Sequence, residues 1–150
     1  MAQTTTFTGG SSFYIAVATD GSTWNSIEGS ANKIEVAEQN RMNGVAYTPD
    51  TDTGVITYGK LEPVEITVTC IYTKTSGEAW ARISSTFYAS GGSRLDLRFA
   101  PEGNTTGNKQ YTTQSAKVVS LKWPNPDAGS AGPVMFTAKW IGYLTEAAVP

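Results

Sequence analysis

Alternating apolar and polar residues run through most of this chain and predict β-strands. The longest such run is residues 64–72 (VEITVTCIY), in which the apolar side chains share one face while Glu65, Thr67 and Thr69 share the other. The last run, residues 134–144, is apolar on both faces, so it is either sandwiched within the domain or placed at a subunit interface. Shorter runs that predict further strands are residues 13–18, 33–37, 55–58, 95–99 and 111–123.

One segment has helical spacing instead, residues 75–90 (TSGEAWARISSTFYAS). Trp80, Ile83 and Phe87 recur at i, i+3 and i+7 and form a single apolar stripe. The T-x-x-E pattern that begins at Thr75 is a capping box, and the two glycines after the segment supply a stop. Because a helix of about 15 residues with one stripe is marginal alone, we expect it to lie on a sheet, anchored by those three side chains.

The connections predict one protruding element and one class of fold. Asn43 and Gly44 form a dipeptide typical of a hairpin turn, and residues 49–54 (PDTDTG) predict another turn. Residues 43–60 are therefore interpreted as a protruding loop or hairpin. Together the elements predict a mainly β protein, a β-sandwich or barrel of roughly seven or eight strands with one α-helix packed on the sheet.

Composition narrows the organisation and the partners. The 150 residues fit a flexible, small and polar N-terminal arm (residues 1–12) and a single β domain (residues 13–150). A net charge of −2 with 16% charged residues argues against avid nucleic-acid binding. A charge this low suggests that other subunits cover part of the surface. No apolar run is long enough to span a bilayer, so we expect no membrane insertion.

The chain has few side chains that carry chemistry. It has no histidine, which removes the commonest general base and the commonest neutral metal ligand. Its single cysteine, Cys70, lies mid-strand and is interpreted as a small buried hydrophobe. We therefore predict no enzyme, and no catalytic residue, cofactor or metal.

Two alternatives from other classes stay open. Asp52, Thr53 and Gly54 spell the triplet of aspartic proteases, which would need a dimer to pair two carboxylates. Here a polar turn precedes the triplet, where the protease mechanism needs a buried strand. The second alternative is a carbohydrate- or receptor-binding β-sandwich, since tryptophans can form a sugar platform, although they more often belong to cores and interfaces. The four tryptophans are Trp24, Trp80, Trp123 and Trp140.

The order of the segments is distinctive. A Thr-rich arm is followed by strands, a protruding polar loop and a long strand that ends in residues 70–73 (CIYT). The helix comes next, then the strand at residues 95–99 with its P-x-G at Pro101, and a PNPD loop before the closing strand. This order resembles the tail tube protein (major tail protein) of long, non-contractile-tailed bacteriophages, over nearly the whole chain.

The resemblance implies a structural virion protein. Its subunits would form stacked, hexameric rings whose inner sheets join into a continuous barrel around a lumen, with the helix outside. The implied partners are other copies of the chain, the tape-measure protein, the tail terminator, the tail-tip proteins and viral DNA that passes non-specifically through the lumen. The implied location is the virion tail, assembled in the host cytoplasm.

Two groups of residues are candidates within that assembly. A negative lumen wall would repel DNA phosphates, although the glutamates that could build it are equally interpreted as ordinary solvent-facing side chains. They are Glu35, Glu38, Glu62 and Glu65. The arm and the protruding loop are expected to contact the neighbouring ring. The residues proposed for this contact are Thr4, Phe7, Tyr47, Asp50 and Asp52.

Overall fold

A mainly β architecture is seen in the computed structural model, which describes residues 9–92 and 94–150. Within these residues lie nine strands, one α-helix and one short 3₁₀ turn, Gly10–Ser12. Of the predicted N-terminal arm, residues 1–8 lie outside the described part. The elements are β1 (Tyr14–Ala18), β2 (Asn25–Ser26), β3 (Ala31–Val36), β4 (Arg41–Ala46), β5 (Val55–Leu61), β6 (Val64–Ile71), α1 (Ala79–Phe87), β7 (Asp96–Ala100), β8 (Lys109–Lys122) and β9 (Met135–Ala148).

Seven strands form one curled antiparallel sheet in the order β2-β1-β7-β8-β9-β6-β3. The remaining two, β4 and β5, pair only with each other. The predicted class, a mainly β fold with one helix on the sheet, is confirmed. The sheet does not close into a complete barrel, because β2 and β3 are its two end strands.

The core lies on one face of the sheet and follows the alternation in the sequence. In β6 every second side chain from Val64 to Cys70 is buried, while Glu65 on the other face is exposed. In β9 the buried residues include Trp140, whose indole N–H donates to the carbonyl of Leu95 at 3.0 Å. Strand β9 lies between β8 and β6, so neighbouring strands of its own sheet flank both of its edges.

A buried carboxylate fixes a bulge in β8. The register between β8 and β9 shifts between Gln114 and Lys117, and Ser115 there has a positive φ of 53°. The Asp96 carboxylate, 0% exposed, accepts the backbone N–H of Ala116 at 2.9 Å and pairs with Arg94 Nε at 2.5 Å. The bulge thus has a specific partner from β7, which no sequence pattern had indicated.

The helix is shorter than predicted. It runs over Ala79–Phe87 instead of residues 75–90, because Gly77 has a positive φ of 91° and the preceding residues form a turn. The predicted capping box is wrong: Glu78 is the N-cap and no side chain bonds the cap. The first helical N–H instead donates to Ser30 Oγ at 3.3 Å. A residue 49 positions away along the chain therefore supplies the partner that Thr75 was expected to give.

The buried side of the helix keeps Ile83 of the predicted stripe but is centred on it differently from the prediction. Ala79, Ile83 and Thr86 are its buried residues, while Trp80 and Phe87 are half-buried on either side of them. The Trp80 ring packs against the core cluster from the edge of the helix. Ile83 thus fills the centre of the helix contact with the core, and the large rings flank it.

Candidate assembly surface

Strands β4 and β5 form a β-ribbon (residues 41–61) that extends β3 and β6 beyond the main sheet. Two backbone hydrogen bonds continue the ladder: Ala37 N–H donates to Glu65 O at 2.9 Å, and Glu62 N–H donates to Asn40 O at 2.8 Å. Neither ribbon strand pairs with the main sheet. The predicted turn at Asn43 and Gly44 is wrong, because both residues lie within β4.

The β-ribbon carries an unusual share of exposed apolar surface. Among the described residues, it holds seven of the thirteen exposed large hydrophobic side chains. Tyr58 is 83% exposed, Tyr47 72% and Ile56 68%. Contiguous apolar surface of this kind marks an interaction site more often than a free surface. The seven residues are Met42, Val45, Tyr47, Val55, Ile56, Tyr58 and Leu61.

Cross-strand register gathers four of these side chains on one face of the β-ribbon. Val45 lies opposite Ile56, so Tyr47 and Tyr58, two residues further along their strands, share that face. Gly54 faces Tyr47 across the ribbon, and a Cβ on Gly54 would lie 2.5 Å from Val45 Cγ1 and 3.0 Å from the Tyr47 ring. The glycine therefore leaves room for an aromatic and aliphatic cluster on this face.

The β-ribbon lacks the covering element that a two-stranded hairpin usually needs for stability. A two-stranded hairpin is marginally stable in water unless a third strand or a helix covers it. Here both strands are exposed over their whole length, with no buried residue in β4 or β5. The ribbon is therefore the part of the described chain that gains most from a partner surface.

The tip of the β-ribbon has no catalytic architecture. Asp50 and Asp52 lie in the exposed turn between the strands, where Thr51 Oγ1 accepts the N–H of Thr53 at 2.9 Å. The aspartic-protease triplet is thus at an exposed turn, and a buried carboxylate pair has no place there. Among the described residues no group of three or more His, Cys, Asp or Glu side chains could hold a metal. Burial raises the pKa of Cys70 to about 12, so its thiol is protonated at neutral pH.

Two of the four candidate lumen glutamates share one face of the main sheet. Glu35 pairs in register with Thr67, and Glu65 lies beside it on β6, on the face opposite the core. We call this side of β3, β6, β8 and β9 the polar face. Glu38 and Glu62 lie instead in the exposed connections between the sheet and the β-ribbon.

The polar face carries more lysines than glutamates. Lys33 Nζ lies 2.6 Å from Glu35 Oε1, and Lys139 Nζ lies 3.7 Å from Glu65 Oε1. Register places two more lysines of β8 on the same side, opposite Ile141 and Thr137. Four lysines therefore accompany the two glutamates. The β8 lysines are Lys117 and Lys122.

The exposed tryptophan belongs to an edge-packed aromatic group beside the helix. The Trp123 ring lies 5.6 Å from Trp80 at an angle of 57° and 5.8 Å from Tyr88 at 43°. Trp80 meets Phe136 edge-on at 5.0 Å. A sugar platform presents a flat aromatic face, whereas these rings are tilted against one another as in protein cores. The arrangement does not favour the carbohydrate-binding alternative.

Comparison with known proteins identifies the fold. No family model and no curated protein matches this sequence. Solved structures do match. One is a chain of the PVC sheath-tube complex of an extracellular contractile injection system in its extended state (TM-score 0.70, 13% identity, 92% of this chain and 89% of that chain covered). This chain and that one share the same fold.

Two further solved structures agree with that match. One is the anti-feeding prophage cap, described as the tube terminating cap (TM-score 0.67, 14% identity, 89% and 87% covered). The other is the tail of an empty gene transfer agent particle with C6 symmetry (TM-score 0.65, 8% identity, 95% and 98% covered). In each case the matched chain is covered almost end to end, so the likeness concerns the whole domain. In the described part of the chain, no helix has the length and apolar content to cross a membrane.

Proposed function

We propose that this chain is the subunit of a tail-like tube: a structural protein that assembles with copies of itself into a hollow polymer. The observation that carries this proposal is the exposed apolar β-ribbon on a domain with the fold of chains from tube-bearing particles. A chain that keeps such a surface exposed as a monomer is prone to associate. The scarcity of groups able to act in catalysis supports a structural role.

In this proposal the β-ribbon of one subunit docks on a different surface of its neighbour. A contact between two different surfaces is heterologous, so it closes into rings or continues as a stack. Tyr47, Val45, Ile56 and Tyr58 would form the buried centre of the contact. Asp50 and Asp52, at the tip, would lie at its solvated rim, where charged residues contribute little affinity.

The finer details of the assembly are also proposals. Six subunits in a ring are supported by the C6 symmetry of the gene transfer agent tail that shares the fold. A terminator partner is supported by the likeness to a tube terminating cap. We propose a place in the tail of a phage-like particle, assembled in the host cytoplasm around a tape-measure protein and joined to tip proteins. A non-contractile phage tail is the type to which the order of segments points.

We further propose that the polar face lines the lumen and that α1 lies outside. The ion pairs of Glu35 with Lys33 and of Glu65 with Lys139 would cancel two of the four lysine charges on this face. This would weaken the attraction between the lumen wall and the phosphates of passing DNA. The role of Glu35 and Glu65 would thus be to limit the positive charge of this face.

Assembly of the purified chain tests the proposed function. Sedimentation velocity at rising protein concentration, with negative-stain microscopy of the same samples, should reveal hollow tubes or rings of constant diameter. Monomers at every concentration that bind glycans on an array would favour the carbohydrate-binding alternative instead. Acid-optimal peptide cleavage that is lost in Asp52→Ala would favour the protease. Either result, without a polymer, would refute the proposal.

A further inference from the structure

A small apolar cavity lies beside the free edge of the main sheet. Its volume is about 260 Å³. Part of its wall is β3, and the rest comes from β7 and from residues next to β1 and β7, so it opens where the barrel fails to close. We call it the edge cavity. The residues that line it are Gly10, Phe13, Asn32, Lys33, Ile34, Phe99 and Pro101.

Unpaired backbone groups accompany the edge cavity. Strand β3 is an end strand, so only alternate residues direct their backbone groups to β6. The Ala37 N–H donates to the carbonyl of Glu65 in β6, so the alternation directs the backbone groups of Glu35 towards β6 as well. Ile34 and Val36 therefore present N–H and C=O groups at the open edge. An extended segment placed there would find a ladder and an apolar cavity side by side, which is the arrangement for β-augmentation.

The size of the edge cavity fits a side chain better than a ligand. Small-molecule sites usually measure about 300–1,000 Å³ and contain several convergent polar groups. This cavity is smaller, and its aromatic and aliphatic walls come mainly from Phe13, Ile34 and Phe99. An apolar space of this kind holds water poorly. One aromatic ring is the group that would suit it.

We propose that the edge cavity receives Phe7 from a second copy of this chain, with residues 3–8 of that copy added along β3. This inference rests on the proposed self-assembly. The described chain begins at Gly9, next to Gly10 in the cavity wall, and residues 1–8 lie beyond. Phe7 is the one aromatic residue among those eight, and the threonines around it favour strands.

The direction of the chain at Gly9 favours a second copy over the same one. Gly9 has an extended backbone, with φ −79° and ψ 129°. The chain therefore does not turn back at this position, although a glycine could turn there at little conformational cost. Phe7 is two residues from Gly9 and can lie up to roughly 7 Å from it when the chain is extended. The contact therefore requires the edge cavity of the neighbouring copy to lie close to Gly9.

Matched substitutions test this contact. Phe7→Ala removes the ring, and Gly10→Phe fills the cavity from its own wall. A Cβ added at Gly10 has no heavy atom within 4 Å, and the same holds for Gly9, which does not line the cavity. Gly9→Phe is therefore the control. We expect Phe7→Ala and Gly10→Phe each to raise the critical concentration for tube formation roughly ten- to hundredfold. The double variant should be no worse than the poorer single one, because both changes remove the same contact.

The outcomes separate this contact from the proposed function. Wild-type assembly together with normal assembly of Phe7→Ala or Gly10→Phe overturns the contact and leaves the tube intact. Fully additive defects in the double variant also overturn it. Melting is also measured below the assembly concentration, where the chain is monomeric. If both single variants then melt at a lower temperature than the wild type, Phe7 occupies the cavity of its own subunit, which contradicts the contact with a second copy. If the wild-type chain forms no polymer, the proposed function and this contact fail together.

Discussion

Replacing the apolar face of the β-ribbon should abolish assembly without unfolding the subunit. The change is Ile56→Thr together with Tyr58→Thr, which keeps a β-favouring residue at both positions. Both side chains are far from the core and are exposed by 68% and 83%. Substitutions at such exposed positions usually alter the free energy of unfolding by less than about 0.5 kcal/mol. The monomer should therefore melt as the wild type does.

The cost to assembly follows from the area that is still exposed. Burying a large apolar side chain completely contributes about 1.5–3 kcal/mol. Since two thirds or more of each side chain is still exposed, docking can gain about 1–2 kcal/mol from each. The pair thus contributes about 2–4 kcal/mol per contact, which corresponds to a critical concentration raised roughly 30- to 1,000-fold.

Sedimentation of a concentration series measures this effect directly, with thermal melting as the check on folding. The matched control is Val119→Thr with Tyr143→Thr, which likewise replaces one aliphatic side chain and one tyrosine by threonine at exposed positions of the main sheet. The control should assemble at the wild-type concentration. The reasoning is refuted if the ribbon variant forms tubes as readily as this control, or if the ribbon variant unfolds.

Three further predictions concern stability and the polar face. Asp96→Ala leaves a backbone amide of the β8 bulge without its acceptor and should lower the free energy of unfolding by about 1–3 kcal/mol, measured by urea titration. The hydrogen bond from Lys109 lowers the pKa of Glu146 below its ordinary 4.5, so its stabilisation is present above that pH and is lost on acidification; Glu146→Gln should flatten the fall in melting temperature. Tubes of Glu35→Lys with Glu65→Lys should retain more DNA than wild-type tubes, and the excess should fall as salt is added.

The sequence was most informative where burial follows a local period. In β6 the two-residue alternation placed every buried side chain correctly, because a strand with one solvent face leaves no other choice. The existence of a helix was likewise predictable from its stripe. Its start was not, because that depends on the positive φ of Gly77 and on Ser30, a distant residue that only the folded chain brings near.

The candidate assembly surface was only partly predictable. The turn signal at residues 49–54 identified a protruding hairpin, and Tyr47 was named within it. The other exposed apolar residues were missed, because an apolar side chain predicts burial unless tertiary structure leaves it outside. The alternation of Ile56, Thr57 and Tyr58 was the available signal that this segment is a strand. The partner of Glu35, Lys33, is two residues away on the same strand, so the alternation already places both on one face. The partner of Glu65, Lys139, depends on cross-strand register, which the sequence does not reveal.

A cryo-EM reconstruction of the polymer formed by the purified chain tests the central claim most directly. The account predicts a hollow tube in which the β-ribbon of each subunit is buried against a neighbour, the polar face lines the lumen and α1 lies on the outer surface. A polymer in which Tyr47, Ile56 and Tyr58 stay exposed to solvent, or a chain that stays monomeric at every concentration, would contradict it.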